Sequence, residues 1–115
     1  YVRDTLITAV EDVLQGELLQ EHLRGKLPTV AQYDAVNRGK TAALIAAACV
    51  LGAWAGDPGV NEERLSSIHS AGMHMGSAFQ MIDDLFDVFG DEGIGKPRWS
   101  DQCGGWLTWP YIRLI

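Results

Sequence analysis

The chain has 115 residues, 47% hydrophobic and 21% charged, with a formal net charge of −6. That balance fits one globular domain or a piece of a larger one, and scattered Lys and Arg on a negative chain argue against nucleic acid as a partner. Cys49 in an apolar run and Cys103 in a glycine-rich one read as reduced thiols, not as a disulfide framework or a zinc set, which points to the cytoplasm.

The opening YVRDTLITAVEDV carries charge through its first turns, which does not suit a signal peptide. Asp4 or Thr5 is placed to cap a first helix running to about Leu23. Leu6, Val10, Val13, Leu14 and Leu18 recur at threes and fours and mark its apolar stripe. The turn RGKLP, with Gly25 and Pro28, breaks this helix, and Thr29 is placed to cap the next from Val30.

The second helix reads VAQYDAVNRGKTAALIAAACVLGAWAG, with a kink expected at Gly39. After Lys40 it is apolar on every side and rich in alanine, which places it at the centre of a bundle. Its most apolar part, Thr41 to Ala55, is too short for the roughly 20 residues of a membrane span. No transmembrane segment is expected.

GDPGV forms a turn, and Asn61 followed by Glu62 and Glu63 starts a third helix that continues to about Phe89. Ile68, Gly72, Met75, Phe79, Ile82, Phe86 and Phe89 step by fours and threes, a seam expected to pack against other helices. Gln80, Asp83, Asp84 and Asp87 fall together in an arc roughly 100° wide on a different side. His69 and His74 read as structural, and Met73, Met75 and Met81 as core filler. Beyond Gly90 comes a glycine-studded polar loop, GDEGIGKPRWSDQCGG, and then the apolar WLTWPYIRLI. No strand pattern is present, so the fold class is all-α, a helical bundle.

The three aspartates of FQMIDDLFD ask for an explanation, because like charges three and four apart cost a helix about 0.2–0.5 kcal/mol per pair. A solvated acidic face is one reading; a divalent cation that offsets the repulsion is the other. Oxygen ligands without a His or Cys cluster select magnesium, which takes one or two carboxylates and completes its shell with water and substrate phosphates. Such a site needs cations for the phosphates. Lys40 and Thr41 stand at the expected kink, where a helix start would expose amides, and the rival for Lys40 is a surface lysine reaching water. Lys96 in GIGKP, on a loop whose glycines let amides approach an anion, is the second candidate. Gly90 to Lys96 also fits the start of a P-loop, but a helix precedes it and Pro97 stands where Ser or Thr should hold magnesium.

GELLQ, KTA, FQMIDDLFD, GDE, GKP, SD and the final T-W-P together resemble the trans-isoprenyl diphosphate synthases, or polyprenyl synthetases, in order and near spacing. The resemblance implies that residues 1–115 are a single partial domain of the isoprenoid synthase fold, its second half, carrying the second aspartate-rich motif. It implies that Asp83 ligates a magnesium ion, with Asp84 and Asp87 acting directly or through water. It also implies that Lys40, Thr41, Gln80 and Lys96 contact the diphosphate. The expected reaction joins an allylic diphosphate to isopentenyl diphosphate, with Lys40, Thr41 and Lys96 as catalytic residues. The first aspartate-rich motif is absent, so the chain alone is expected to be inactive. Trp106 stands where the family carries a diphosphate-contacting lysine. The alternative is a non-catalytic partner subunit of a fuller synthase, with Trp106 and Trp109 expected to be exposed at an interface, and the resemblance also implies a possible homodimer. FQMIDDLFD fits a class I terpene cyclase less well.

Overall fold

Apolar residues at helical spacing, interrupted by turn formers and not by strand patterns, leave helix as the main way to satisfy the backbone. In the computed structural model, which describes residues 1–89 and 105–114 (for Leu114 the backbone alone), no strand occurs among the described residues. Helix α1 spans Val2–His22, α2 Val30–Asn37, α3 Ala43–Gly56, α4 Glu62–Phe89 and α5 Trp109–Leu114. The all-α fold class holds.

The starts follow local chemistry. Thr29 and Gln32 form a reciprocal capping box, with Gln32 N donating to Thr29 Oγ1 at 3.1 Å and Thr29 N to Gln32 Oε1 at 2.9 Å. Asn61 Oδ1 accepts from Arg64 N at 2.8 Å and opens α4. At α1 the expected cap fails: the helix already runs at Val2, and Asp4 sits within its first turn, where its charge still suits the exposed amides.

Where a kink was expected at Gly39 the helix instead widens into a π-turn, Arg38–Ala42, and continues without a break into α3. Two glycines explain why the turn sits there. A Cβ on Gly39 would lie 2.6 Å from the Asp12 carbonyl oxygen, and one on Gly16 would lie 2.8 Å from Lys40 N. Only bare backbones allow α1 to cross the π-turn this closely. On the opposite flank Gly72 and Gly76 of α4 rest on Ala46 and Ala42 in the same manner, with Cβ clearances of 2.7 Å.

Because the π-turn keeps the rod continuous, Val30–Gly56 is one helix of 27 residues with a stretch of mean hydropathy 1.4. This corrects the expectation that no segment is long enough: by length and composition this one could cross a bilayer. The core helix of a soluble protein meets the same test, and this rod packs against both α1 and α4. Its small side chains Ala42, Ala43, Ala46, Ala47 and Val50 form much of the core, although Leu44, Ala48 and Gly52 leave one side open.

Two further expectations reverse. On α1, Leu6, Val10, Leu14 and Leu18 are exposed, and Ala9 and Gly16 make the buried face. On α4, Met75, Phe79, Ile82, Phe86 and Phe89 are 49–65% exposed, so of the expected seam only Gly72 is fully buried, Ile68 is half-buried, and Met75 does not fill the core. Gly72 is joined on the inner face of α4 by Gly76, Asp84, Asp87 and Val88. The glycines decide this, since close contact with the alanine rod is available only on their side. His69 and His74 are likewise on the surface.

Candidate active site

The inward face of α4 meets the π-turn at a small polar cleft of about 60 Å³. Lys40, Thr41, Gln80 and Asp84 all line it, together with Gln20 of α1, Tyr33 and Asn37 of α2, and Trp106. Four of the residues picked out by sequence are therefore brought to one point from two helices. Two wider grooves, of about 420 and 500 Å³, run along the other flank of α1. Neither gathers this set: the first is floored by Ala43, Ala47 and Val50.

Hydrogen bonds order the cleft. Thr41 Oγ1 donates to Gln80 Oε1 at 3.0 Å, and Gln80 Nε2 donates to Asp84 Oδ1 at 3.0 Å and to Asp83 Oδ2 at 3.4 Å. Tyr33 donates its hydroxyl hydrogen to Asp84 Oδ2. Lys40 Nζ donates to Gln20 Oε1 at 2.6 Å and pairs with Glu17 Oε1 at 3.5 Å. Asn37 donates from Nδ2 to Ser77 O at 3.4 Å, and its buried Oδ1 has no partner among the described residues. Such an orphaned acceptor beside a polar cleft normally takes a water or a ligand donor.

The π-turn changes the reasoning about Lys40. Since Asn37 and Ala42 are both in right-handed helical conformation, no helix starts at Lys40 and no end amides are exposed there. What this point presents to the cleft is side chains: the lysine ammonium, the threonine hydroxyl and the amides of Gln20 and Gln80. Lys40 is half-buried, with its ammonium tied to Gln20 and paired with Glu17 at the rim of the cleft.

The acidic residues separate by burial. Asp84 is 1% and Asp87 0% exposed, while Asp83 is half-buried beside the cleft. A fully solvated acidic face is therefore excluded. Lys96, Cys103 and the P-loop-like stretch lie outside the described residues, as does the expected polar loop. Among the described residues no three His, Cys, Asp or Glu side chains gather to hold a metal. The donors still suit a magnesium ion shared with a ligand, which needs only one or two carboxylates. One amide nitrogen, Gln80 Nε2, donates to both Asp83 and Asp84, so a single neutral donor group already bridges the two carboxylates.

Sequence reasoning missed Gln20, Tyr33 and Asn37. Gln20 was within reach, as it ends the GELLQ stretch, but nothing in its spacing says that it grips Lys40. Tyr33 and Asn37 precede Lys40 by seven and three residues and share its helix face only because the rod does not kink. The tryptophans correct an expectation as well: Trp106 and Trp109 are half-buried and pack on Tyr33, with ring centroids 6.2 and 5.9 Å away.

Comparison with known proteins identifies the family and the fold. The family model for polyprenyl synthetase matches residues 2–115. The geranylgeranyl diphosphate synthase of Saccharolobus solfataricus is 30% identical over 111 residues, 95% of this chain and 33% of that protein. Heptaprenyl diphosphate synthase component 2 of Geobacillus stearothermophilus is 34% identical over 113 residues, 96% of this chain and 34% of that protein. The crystal structure of heptaprenyl diphosphate synthase from Staphylococcus aureus superposes with a TM-score of 0.88 at 29% identity, over 97% of this chain and 35% of that one. The chain belongs to the polyprenyl synthetase family and spans about a third of the length of the curated relatives it matches.

Proposed function

We propose that the chain carries the allylic-diphosphate half of a prenyltransferase site and corresponds to a partial synthase domain, the second half of the family fold. The reading is carried by one observation: Lys40, Thr41, Gln80 and Asp84 converge on one cleft in a chain of this family. Lys40 and Thr41 bind the diphosphate, Gln80 orients it, and Lys96 adds a second cation. Asp83, the most open of the three aspartates, ligates Mg2+, with Asp84 and Asp87 behind it acting through water. Magnesium, when bound, neutralises charge building on the departing diphosphate as the allylic C–O bond breaks. Isopentenyl diphosphate then adds through its double bond and loses a proton.

A third-length chain holds one aspartate-rich motif, so we infer that it does not turn over alone. Incubation with radiolabelled isopentenyl diphosphate and an allylic starter tests this, and labelled product would refute it. For the site, Asp83→Ala in a full-length form should abolish magnesium-dependent binding of an allylic diphosphate. Unchanged affinity would remove Asp83 from the site.

A second reading, a non-catalytic partner or self-associating subunit, is favoured by the exposed stripes of α1 and α4, which suit a helical partner. Co-purification separates the readings, because a partner subunit brings a fuller synthase with it. A cytoplasmic location accompanies both readings, in keeping with the free thiol of Cys49.

A further inference from the structure

The cleft is backed by an aromatic stack that spacing alone does not announce. Tyr33 is 3% exposed. Its ring lies nearly parallel to that of Trp106, 13° between planes, and tilted at 37° to that of Trp109. Trp106 is itself held by the turn that precedes it. Gly105 has a φ of 86° and accepts from Gly25 N at 2.7 Å, and a Cβ on it would lie 2.7 Å from Arg24 Cγ. Arg113 lies over the Trp109 ring, 5.5 Å from its centroid.

From this stack a line of hydrogen bonds runs into the cleft. The Tyr33 hydroxyl takes Asp84 Oδ2, Asp84 Oδ1 takes Gln80 Nε2, and Gln80 Oε1 takes the Thr41 hydroxyl. A carboxylate held at both oxygens cannot turn about its terminal bond. A primary amide donates at one end and accepts at the other, so fixing its nitrogen on Asp84 aims its oxygen at Thr41. Each group in the line is oriented by the one before it, and the first packs against two indoles.

Resting on the reading of this cleft as a diphosphate site, we propose that Tyr33 is a positioning residue for it. Packed against Trp106 and Trp109, Tyr33 holds Asp84, which fixes Gln80 and with it the place of the Thr41 hydroxyl, whose hydrogen turns from Gln80 Oε1 to the incoming diphosphate. Tyr33 does not touch the ligand; it acts through Asp84. Trp106 acts as a flat wall, and what matters at that position is a ring plane. In such an arrangement the side chains of Gln80 and Thr41 are placed before the ligand arrives, which lowers the ordering cost at binding, and only the Thr41 hydroxyl hydrogen has to change partner.

The test uses the full 115-residue chain and inorganic pyrophosphate with magnesium, with affinity measured by calorimetry and the melting midpoint recorded alongside. Tyr33→Phe keeps the ring and the stack and removes only the hydroxyl. Its pyrophosphate Kd should rise about tenfold, the scale of one lost hydrogen bond to a charged group. Trp106→Ala should weaken binding similarly, and Trp106→Phe, which restores a ring plane, should return it to the wild-type value. A purely structural role would lower the midpoint of Tyr33→Phe and leave the Kd of the folded protein unmoved. That result overturns the positioning role and leaves the cleft standing. A wild-type chain that does not bind pyrophosphate overturns the diphosphate reading, and this inference with it. Should Trp106→Ala fail to fold, the Tyr33→Phe measurement decides alone.

Discussion

The two faces of α4 contrast in an unusual direction. Its inner face buries two aspartates, Asp84 and Asp87, while its outer face leaves Phe79, Phe86 and Phe89 largely open to solvent. An isolated amphipathic helix would do the reverse, because full burial of one large apolar side chain is worth about 1.5–3 kcal/mol and a buried carboxylate costs energy unless it is hydrogen-bonded. The inner face is held there by Gly72 and Gly76 on the alanine rod and by the bonds from Tyr33 and Gln80 to Asp84. The contrast teaches that α4 turns a polar, hydrogen-bonded face to the rod and an apolar stripe outward, because the close contact with the rod is set by its small residues.

The largest expected effect strikes the inner packing. Gly76→Leu forces a side chain into a position where even a Cβ lies 2.7 Å from Ala42 Cα, so α4 must lift from the rod. Overpacking of this kind costs about 1–3 kcal/mol or more, which thermal unfolding should register as a lower midpoint or as loss of the folded state. An unchanged midpoint would mean that the small-residue contact does not hold the inner face in place. Next comes Asp84→Ala, which deprives Tyr33 Oη and Gln80 Nε2 of the carboxylate they share. Losing that shared acceptor in a buried place should cost about 1–3 kcal/mol in denaturant unfolding. A neutral result would show that Asp84 is buried at no benefit to the fold.

How much of this was legible in the sequence follows from the same contrast. Helix positions, the Thr29 and Asn61 caps and the common arc of Gln80, Asp83 and Asp84 depend on local rules of period and capping, and these hold. Which face of a helix turns inward is not a local property. The stripes of Leu6, Val10 and Leu14, and of Phe79, Ile82 and Phe86, satisfy every rule for a buried seam, yet they stand exposed because the close contacts are made by glycine and alanine. Hydrophobic periodicity weighs large residues and nearly ignores small ones. In the cleft, the local arc was readable, but the partners that orient it, Gln20 and Tyr33, come from other helices and depend on the π-turn.

The outer stripe gives a smaller effect with a sharper contrast. Phe79→Ser and Phe86→Ser together should change the stability of the chain by no more than about 0.5 kcal/mol each, because both side chains are already about half exposed or more. The same pair should lower self-association measured by sedimentation, or binding to a fuller synthase, if the stripe is a docking face. A stability loss as large as that of Gly76→Leu would mean that the stripe packs within the chain in solution, and the contrast between the two faces would disappear.

The smallest effect is expected at the cleft rim. Glu17 and Lys40 pair at 3.5 Å with side chains 52% and 38% exposed, so solvent screens most of their attraction and the pair is worth about 0–1 kcal/mol. Glu17→Gln should therefore leave the melting midpoint nearly unmoved. It removes a negative charge from the rim of a cleft assigned to an anion, while Gln20 still holds Lys40 at 2.6 Å. Pyrophosphate affinity with magnesium should rise modestly, and more at low salt, since exposed charges are screened within about 8 Å at physiological ionic strength. A fall in affinity would mean that Glu17 orients Lys40 more than it opposes the anion, which would shift the ordering role at this rim from the amide of Gln20 to the carboxylate beside it.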